Sequence, residues 1–176
     1  MEKPFLSGNL KLDEVSLRKV FLYNLNQIYP ILNYLSGSLP EIAKSTYYGD
    51  LQYAIEELLS EVQVQIFRIK DIFIQLNEVP CKKCTHDTTK MLQILDYVDE
   101  HKDNLSKDLS IVFYIQKVLS VQKNYFHILK SIANTLNSVN IKQYLQFSCD
   151  ECKDNQTIFT LIAKEYMEST INSFLK

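Results

Sequence analysis

Apolar residues fall at Leu51, Ile55, Leu58, Val62, Ile66, Ile69, Phe73 and Leu76, with steps of three and four kept up for over three heptads. Side chains spaced this way share one edge of an α-helix. A half-buried strand would alternate instead. The stretch is therefore a long helix, and its apolar edge must be covered by other helices.

Three further stretches supply them. A first stripe reads Leu17, Val20, Asn24, Ile28, Ile31, Leu35, Leu39 and Ile42, with Asp13 placed to cap it. Pro30 and Pro40 fall inside that stripe. Pro30 predicts a kink, and Pro40 a bend or early end, because proline removes a backbone donor. A third stripe reads Leu109, Val112, Ile115, Leu119, Gln122, Phe126, Leu129, Ile132 and Leu136. A fourth reads Ile141, Leu145, Ser148, Cys152, Phe159, Ile162 and Tyr166. Within it, residues 148–155 (SCDECKDN) are poor helix formers and predict an interruption or strain.

Punctuation is scarce. The chain holds 3 Gly and 4 Pro in 176 residues, where average usage gives roughly 20 of the two together. That argues against a many-stranded β-sandwich or barrel. Gly8, Gly37 and Gly49 lie too far apart to form a phosphate-binding loop. Tyr47-Tyr48-Gly49-Asp50 reads as a turn with Asp50 capping the second helix, and Pro80 as that helix's stop. A polar stretch, 79–105, follows, with Met91, Ile94, Leu95 and Val98 marking a short helix from near Asp87.

The layout is two tight helical pairs, with helices of about 45 Å, joined by one long connection. That is the ferritin-like form of the four-helix bundle. The expected organisation is a loose arm over residues 1–12 and one all-α bundle over 13–176. Net charge is −2, with no basic excess for nucleic acid or an anionic membrane. No apolar run approaches a membrane span. Met1-Glu2-Lys3-Pro4-Phe5 lacks an apolar signal segment, so the cytoplasm is the expected location.

From Phe21 to Tyr29, through Leu39-Pro40-Glu41-Ile42-Ala43-Lys44 and Asp50-Leu51-Gln52-Tyr53-Ala54-Ile55-Glu56-Glu57, the chain resembles the YciE/YciF family of ferritin-like proteins. The likeness continues at Glu61, Gln65, Arg68-Ile69, Ile72-Phe73, Lys82-Lys83-Cys84, Gln116-Lys117-Val118 and Asp150-Glu151, and covers about residues 17–170. It implies a bacterial, stress-associated, dimeric protein with a carboxylate and histidine di-metal cluster in mid-bundle. Such a centre draws hard oxygen ligands from all four helices.

At the positions that the resemblance assigns to ligands, this chain differs. Leu32 stands for a glutamate on the first helix and Leu58 for a histidine on the second, where Glu61 is retained. Leu119-Ser120 stands for a Glu-His pair and Gln122 for the glutamate after it. On the fourth helix an Asp-Glu-Glu run reads Asp150-Glu151-Cys152. No metal is therefore expected at Leu32, Leu58, Glu61, Leu119, Gln122 and Cys152. Leu58 and Leu119 suit a core, each worth about 1.5–3 kcal/mol of burial. Glu61 is expected to tilt to solvent or to bond Gln122 or a tyrosine.

The cysteines form two CxxC pairs, Cys81/Cys84 and Cys149/Cys152. Three roles stay open for them: core thiols, a redox or disulfide pair, and a tetrahedral zinc site. Zinc is the alternative to no cofactor. Depth opposes it, since Cys149 lies about 15 Å in from the helix end. His86 follows Cys84 and reads as an exposed loop residue, His101 ends the short helix, and His127 lies beside the third stripe. No nucleophile–base pair is evident. Tyr23, Tyr34, Tyr47 and Tyr48 read as packing or rim residues, or as an interface.

The reading is a non-enzymatic bundle acting through oligomerisation, with a homodimer as the default, or through an unknown protein partner or small ligand. The alternatives are a ferritin-like metal protein or oxidoreductase with a modified site, and a zinc-stabilised bundle.

Overall fold

A computed structural model describes residues 13–81, 103–134 and 138–174, with side chains to residue 168. The arm at 1–12, the short helix expected near Asp87, and Cys84, His86, His101 and Leu136 lie outside the described residues. The described helices are α1 (Glu14–Ser45), α2 (Gly49–Gln75), α3 (Asn104–Ala133) and α4 (Val139–Phe174).

Local chemistry sets their ends. Asp13 caps α1, accepting from Ser16 N at 2.9 Å and from Ser16 Oγ at 2.7 Å. Asp103 caps α3 in the same way, accepting from Ser106 N at 2.8 Å. Each satisfies one of the donors that a helix start leaves unpaired.

In the first two helices, four expectations need correction. Pro40 does not end α1, which runs through both prolines to Ser45. Val20 is 43 % exposed, while Phe21, one position on in the same turn, is fully buried and takes the inward place. Asp50 does not cap α2. Tyr48 holds the cap position without a side-chain cap bond, and Asp50 accepts from Tyr166 Oη at 2.9 Å. Pro80 does not stop α2 either.

The stop is Asn77, whose φ of 54° is left-handed. Its N–H bonds Ile74 O at 3.0 Å, and Glu78 N bonds Phe73 O at 2.9 Å, the paired bonds of a Schellman motif. Arg18 of α1 braces it, donating from Nη2 to Leu76 O at 2.7 Å and to Glu78 Oε1 at 3.1 Å.

Residues 148–155 do not interrupt α4. Asp150 accepts from Gln146 Nε2 and from Lys153 Nζ. Such one-turn pairs offset poor intrinsic propensity. Cys149 and Cys152, both 1 % exposed, bury the inner face of the stretch.

Long-range bonds fix the topology. Asp108, in the first turns of α3, accepts from Tyr47 N and Tyr48 N, between α1 and α2. Tyr166, near the end of α4, reaches Asp50 at the start of α2. At the other end, Ser138 Oγ donates to Gln75 Oε1 at 3.5 Å. Hence α2 and α3 run parallel, and the connection over residues 76–103 joins opposite ends of the bundle. In ring order α1, α2, α4, α3, each helix is antiparallel to its neighbours. This is the ferritin-like arrangement. The α1–α2 and α3–α4 pairs pack most closely, and the α2–α4 seam least. Among the described residues no helix is long and apolar enough to cross a membrane.

Candidate functional site

Helical rise places the positions of interest at one depth. Counting from the residues that meet at the turn end (Ser45, Asp50, Asp108 and Tyr166), Leu32, Glu61, Gln122 and Cys152 all lie roughly 20 Å in, at about 1.5 Å per residue. Leu32, Leu58 and Leu119 sit in the core at 0 %, 3 % and 1 % exposure. None of them carries an atom that binds a metal.

Glu61 is half-buried. It bonds neither Gln122 nor a tyrosine as expected; Asn155 Nδ2 donates to its Oε2. The same Nδ2 donates to Glu151 O at 3.0 Å. Burial is the main cause that raises the Glu61 carboxyl above its ordinary range. The Asn155 bond opposes this, and the charges of Glu151, Glu57 and Asp154 reinforce it.

The fourth-helix acids turn away from the centre. Asp150 is held on the outer side by Gln146 and Lys153, bonds that lower its carboxyl pKa. Glu151 points into the α2–α4 seam, where Oε2 accepts from Arg68 Nη1 at 2.7 Å and Gln65 Nε2 at 3.1 Å. Arg68 Nη1 also donates to Ser148 Oγ at 3.2 Å, and its guanidinium lies 5.7 Å from the centre of the Phe147 ring. The seam that packs least closely is thus joined by a partly buried ion pair with amide and hydroxyl partners.

Cys152 faces the centre. Burial is the main cause that pushes its thiol well above the ordinary range, with Cys149, Glu151 and Glu61 adding to it and Gln65 opposing. Such a thiol stays protonated and is a poor nucleophile. Cys149 and Cys152 are buried without a disulfide, and Cys81 is exposed, its N–H bonding Asn26 Oδ1 of α1 at 2.6 Å. Among the described residues no three His, Cys, Asp or Glu side chains come together in a way that could hold a metal ion, so Cys81 does not join Cys149 and Cys152. His127 is exposed on α3.

Two buried amides stand out. Among the described residues, Gln65 Oε1 and Gln122 Nε2 have no hydrogen-bond partner, although both residues are 1 % exposed. The part of Arg68, Ser148, Asn155 and Asp108 in cross-helix bonding was missed by sequence reasoning. One signal was available for Arg68: it is one of only two arginines, and both reach across to another helix.

A family model described as a domain of unknown function (DUF892) matches residues 16–174. No curated protein matches. Among solved structures, the crystal structure of the E. coli stress protein YciF is similar with a TM-score of 0.80 and 21 % identity, over 86 % of this chain and 97 % of that one. YcfI from Rhodopseudomonas palustris is similar with a TM-score of 0.71 and 22 % identity, over 89 % of this chain and 98 % of that one.

Proposed function

We propose that this chain, which belongs to the DUF892 family of YciE/YciF-like proteins, is a non-enzymatic bundle that works by association, first with a second copy of itself. One observation carries the reading. Where the resemblance would set ligands on three of the helices, Leu32, Leu58 and Leu119 are packed in the core. Rebuilding a metal centre there would mean burying carboxylates in place of well-packed leucines, at a cost of several kcal/mol. A stress-associated role is proposed from the similarity to the stress protein YciF.

Association has a surface to use. On the outer side of α2, Val64, Phe67 and Ile74 are 46 %, 68 % and 70 % exposed, at steps of three and seven residues. Exposed apolar stripes of this kind mark interaction sites, and a twofold axis would set one against its own copy.

Two measurements on one preparation test the reading. Protein purified without added metal or chelator should hold far less than one iron, manganese or zinc per chain. Light scattering should give the mass of a dimer, and Phe67→Glu with Ile74→Glu should shift it to a monomer. Near-stoichiometric iron or manganese would sink the proposal in favour of a metal protein with a modified site. Zinc near one per chain, lost in Cys84→Ser with Cys152→Ser, would support the zinc-stabilised alternative. The structure lends that alternative less support, because Cys149 and Cys152 are buried in α4 while Cys81 is exposed beside α1.

A further inference from the structure

Among the described residues the bundle interior is mostly apolar, and two of its few buried polar side chains are glutamine amides in mid-bundle. There α2 contributes Gln65 and α3 contributes Gln122, each 1 % exposed. Gln65 Nε2 is committed to Glu151, which fixes the orientation of its amide and leaves Oε1 without a partner. Gln122 Nε2 is also without a partner. One orphan is an acceptor and the other a donor.

Both residues are buried on the inward faces of their helices. Helices α2 and α3 run parallel on one diagonal of the bundle, and Gln65 and Gln122 lie at similar depth, roughly 20–25 Å from the turn end. Gln65 also lies against Cys152 of α4, whose sulfur is a weak acceptor and whose S–H is a weak donor. A buried amide atom without a partner is destabilising, and native interiors leave few such atoms. A cation would satisfy Gln65 Oε1 but would face the donor Gln122 Nε2. A molecule with both donors and acceptors suits all of these groups. Buried waters meet this need, with two to four polar partners each.

We infer that the mid-bundle layer binds an internal water, which donates to Gln65 Oε1, accepts from Gln122 Nε2 and lies against Cys152. The layer that the resemblance would assign to metal is then a hydrogen-bonded water site. This goes beyond the proposed function and can fail separately from it: a metal in the layer would overturn both, and a dry layer only this inference.

A crystal structure of the full chain at about 1.5 Å, with anomalous data, is the test. The expected result is a peak within hydrogen-bond distance of Gln65 Oε1 and Gln122 Nε2, with no anomalous signal. The peak should vanish in Gln122→Leu, and that variant should melt at a lower temperature than the parent, because Gln65 Oε1 loses its partner. A dry layer predicts the opposite, since Gln122→Leu would then remove an unpaired polar atom and raise the melting temperature. No peak, an anomalous peak, a peak that survives the substitution, or a raised melting temperature each overturns the inference. If Gln122→Leu does not fold, Gln122→Met replaces it and is read by the same criteria.

Discussion

The Asp108 carboxylate accepts the backbone N–H of Tyr48 at 2.9 Å and that of Tyr47 at 3.0 Å, across about sixty residues of sequence. It is fully buried. The start of α3 thereby closes the turn between α1 and α2, at a place where sequence reading expects only Asp50 capping α2.

Asp108→Ala removes the acceptor from two part-buried backbone donors. An unpaired donor costs about 1–3 kcal/mol when buried and less where water reaches it, so a loss of about 2 kcal/mol is expected. Urea unfolding at constant m-value measures it. Asp50→Ala should cost clearly less, since it removes only the bond from Tyr166. Equal losses would show that Asp108 is not the clip.

Arg68 and Glu151 join α2 to α4 at 2.7 Å, with side chains 15 % and 22 % exposed. Removing one partner leaves a partly buried charge uncompensated. Arg68→Ala should destabilise by about 2 kcal/mol, and Arg68→Met with Glu151→Leu by less than Arg68→Ala alone. A double-mutant cycle reads the coupling. Strictly additive losses would mean that the pair contributes no coupling at the seam.

Burial raises the Glu61 carboxyl above the ordinary value of 4.5. Over the pH range between its unfolded and folded values, the native state therefore holds more protons than the unfolded state. Stability from this group is greatest below the unfolded value and falls as pH rises through the folded value. Glu61→Gln keeps an oxygen for Asn155 and removes the titration. The variant should be the more stable protein at pH 7, and its stability should fall less between pH 4 and 7. A steeper fall than in the parent would reverse the assignment.

The fold was legible because the bundle rests on apolar periodicity, which a sequence displays directly. Leu51, Ile55, Leu58, Val62, Ile69 and Phe73 are all buried as their spacing predicts. Element ends were less legible. Asn77 stops α2 through a left-handed backbone, and an asparagine has other uses that a sequence does not separate from this one. The candidate site was legible mainly as a set of replacements at Leu32, Leu58, Leu119, Gln122 and Cys152. What fills the gap was not. Asn155 reaching Glu61 and Arg68 reaching Glu151 depend on rotamers across a seam, and no spacing rule links residues more than eighty apart.

The thiols offer the cheapest check on the centre. The thiolate is the reacting form, and burial holds Cys152 protonated well past neutral pH. Cys149 and Cys152 are 1 % exposed, whereas Cys81 is on the surface. In native protein at pH 8, an aromatic disulfide reagent should modify Cys81 quickly. Cys149 and Cys152 should react only at the rate of unfolding or local opening. In denaturant all should react at once. Peptide mapping after timed quenching assigns each site. Rapid modification of Cys152 in folded protein would mean that the α2–α4 seam opens readily. That would undercut both the packed centre and the case against a metal entering it.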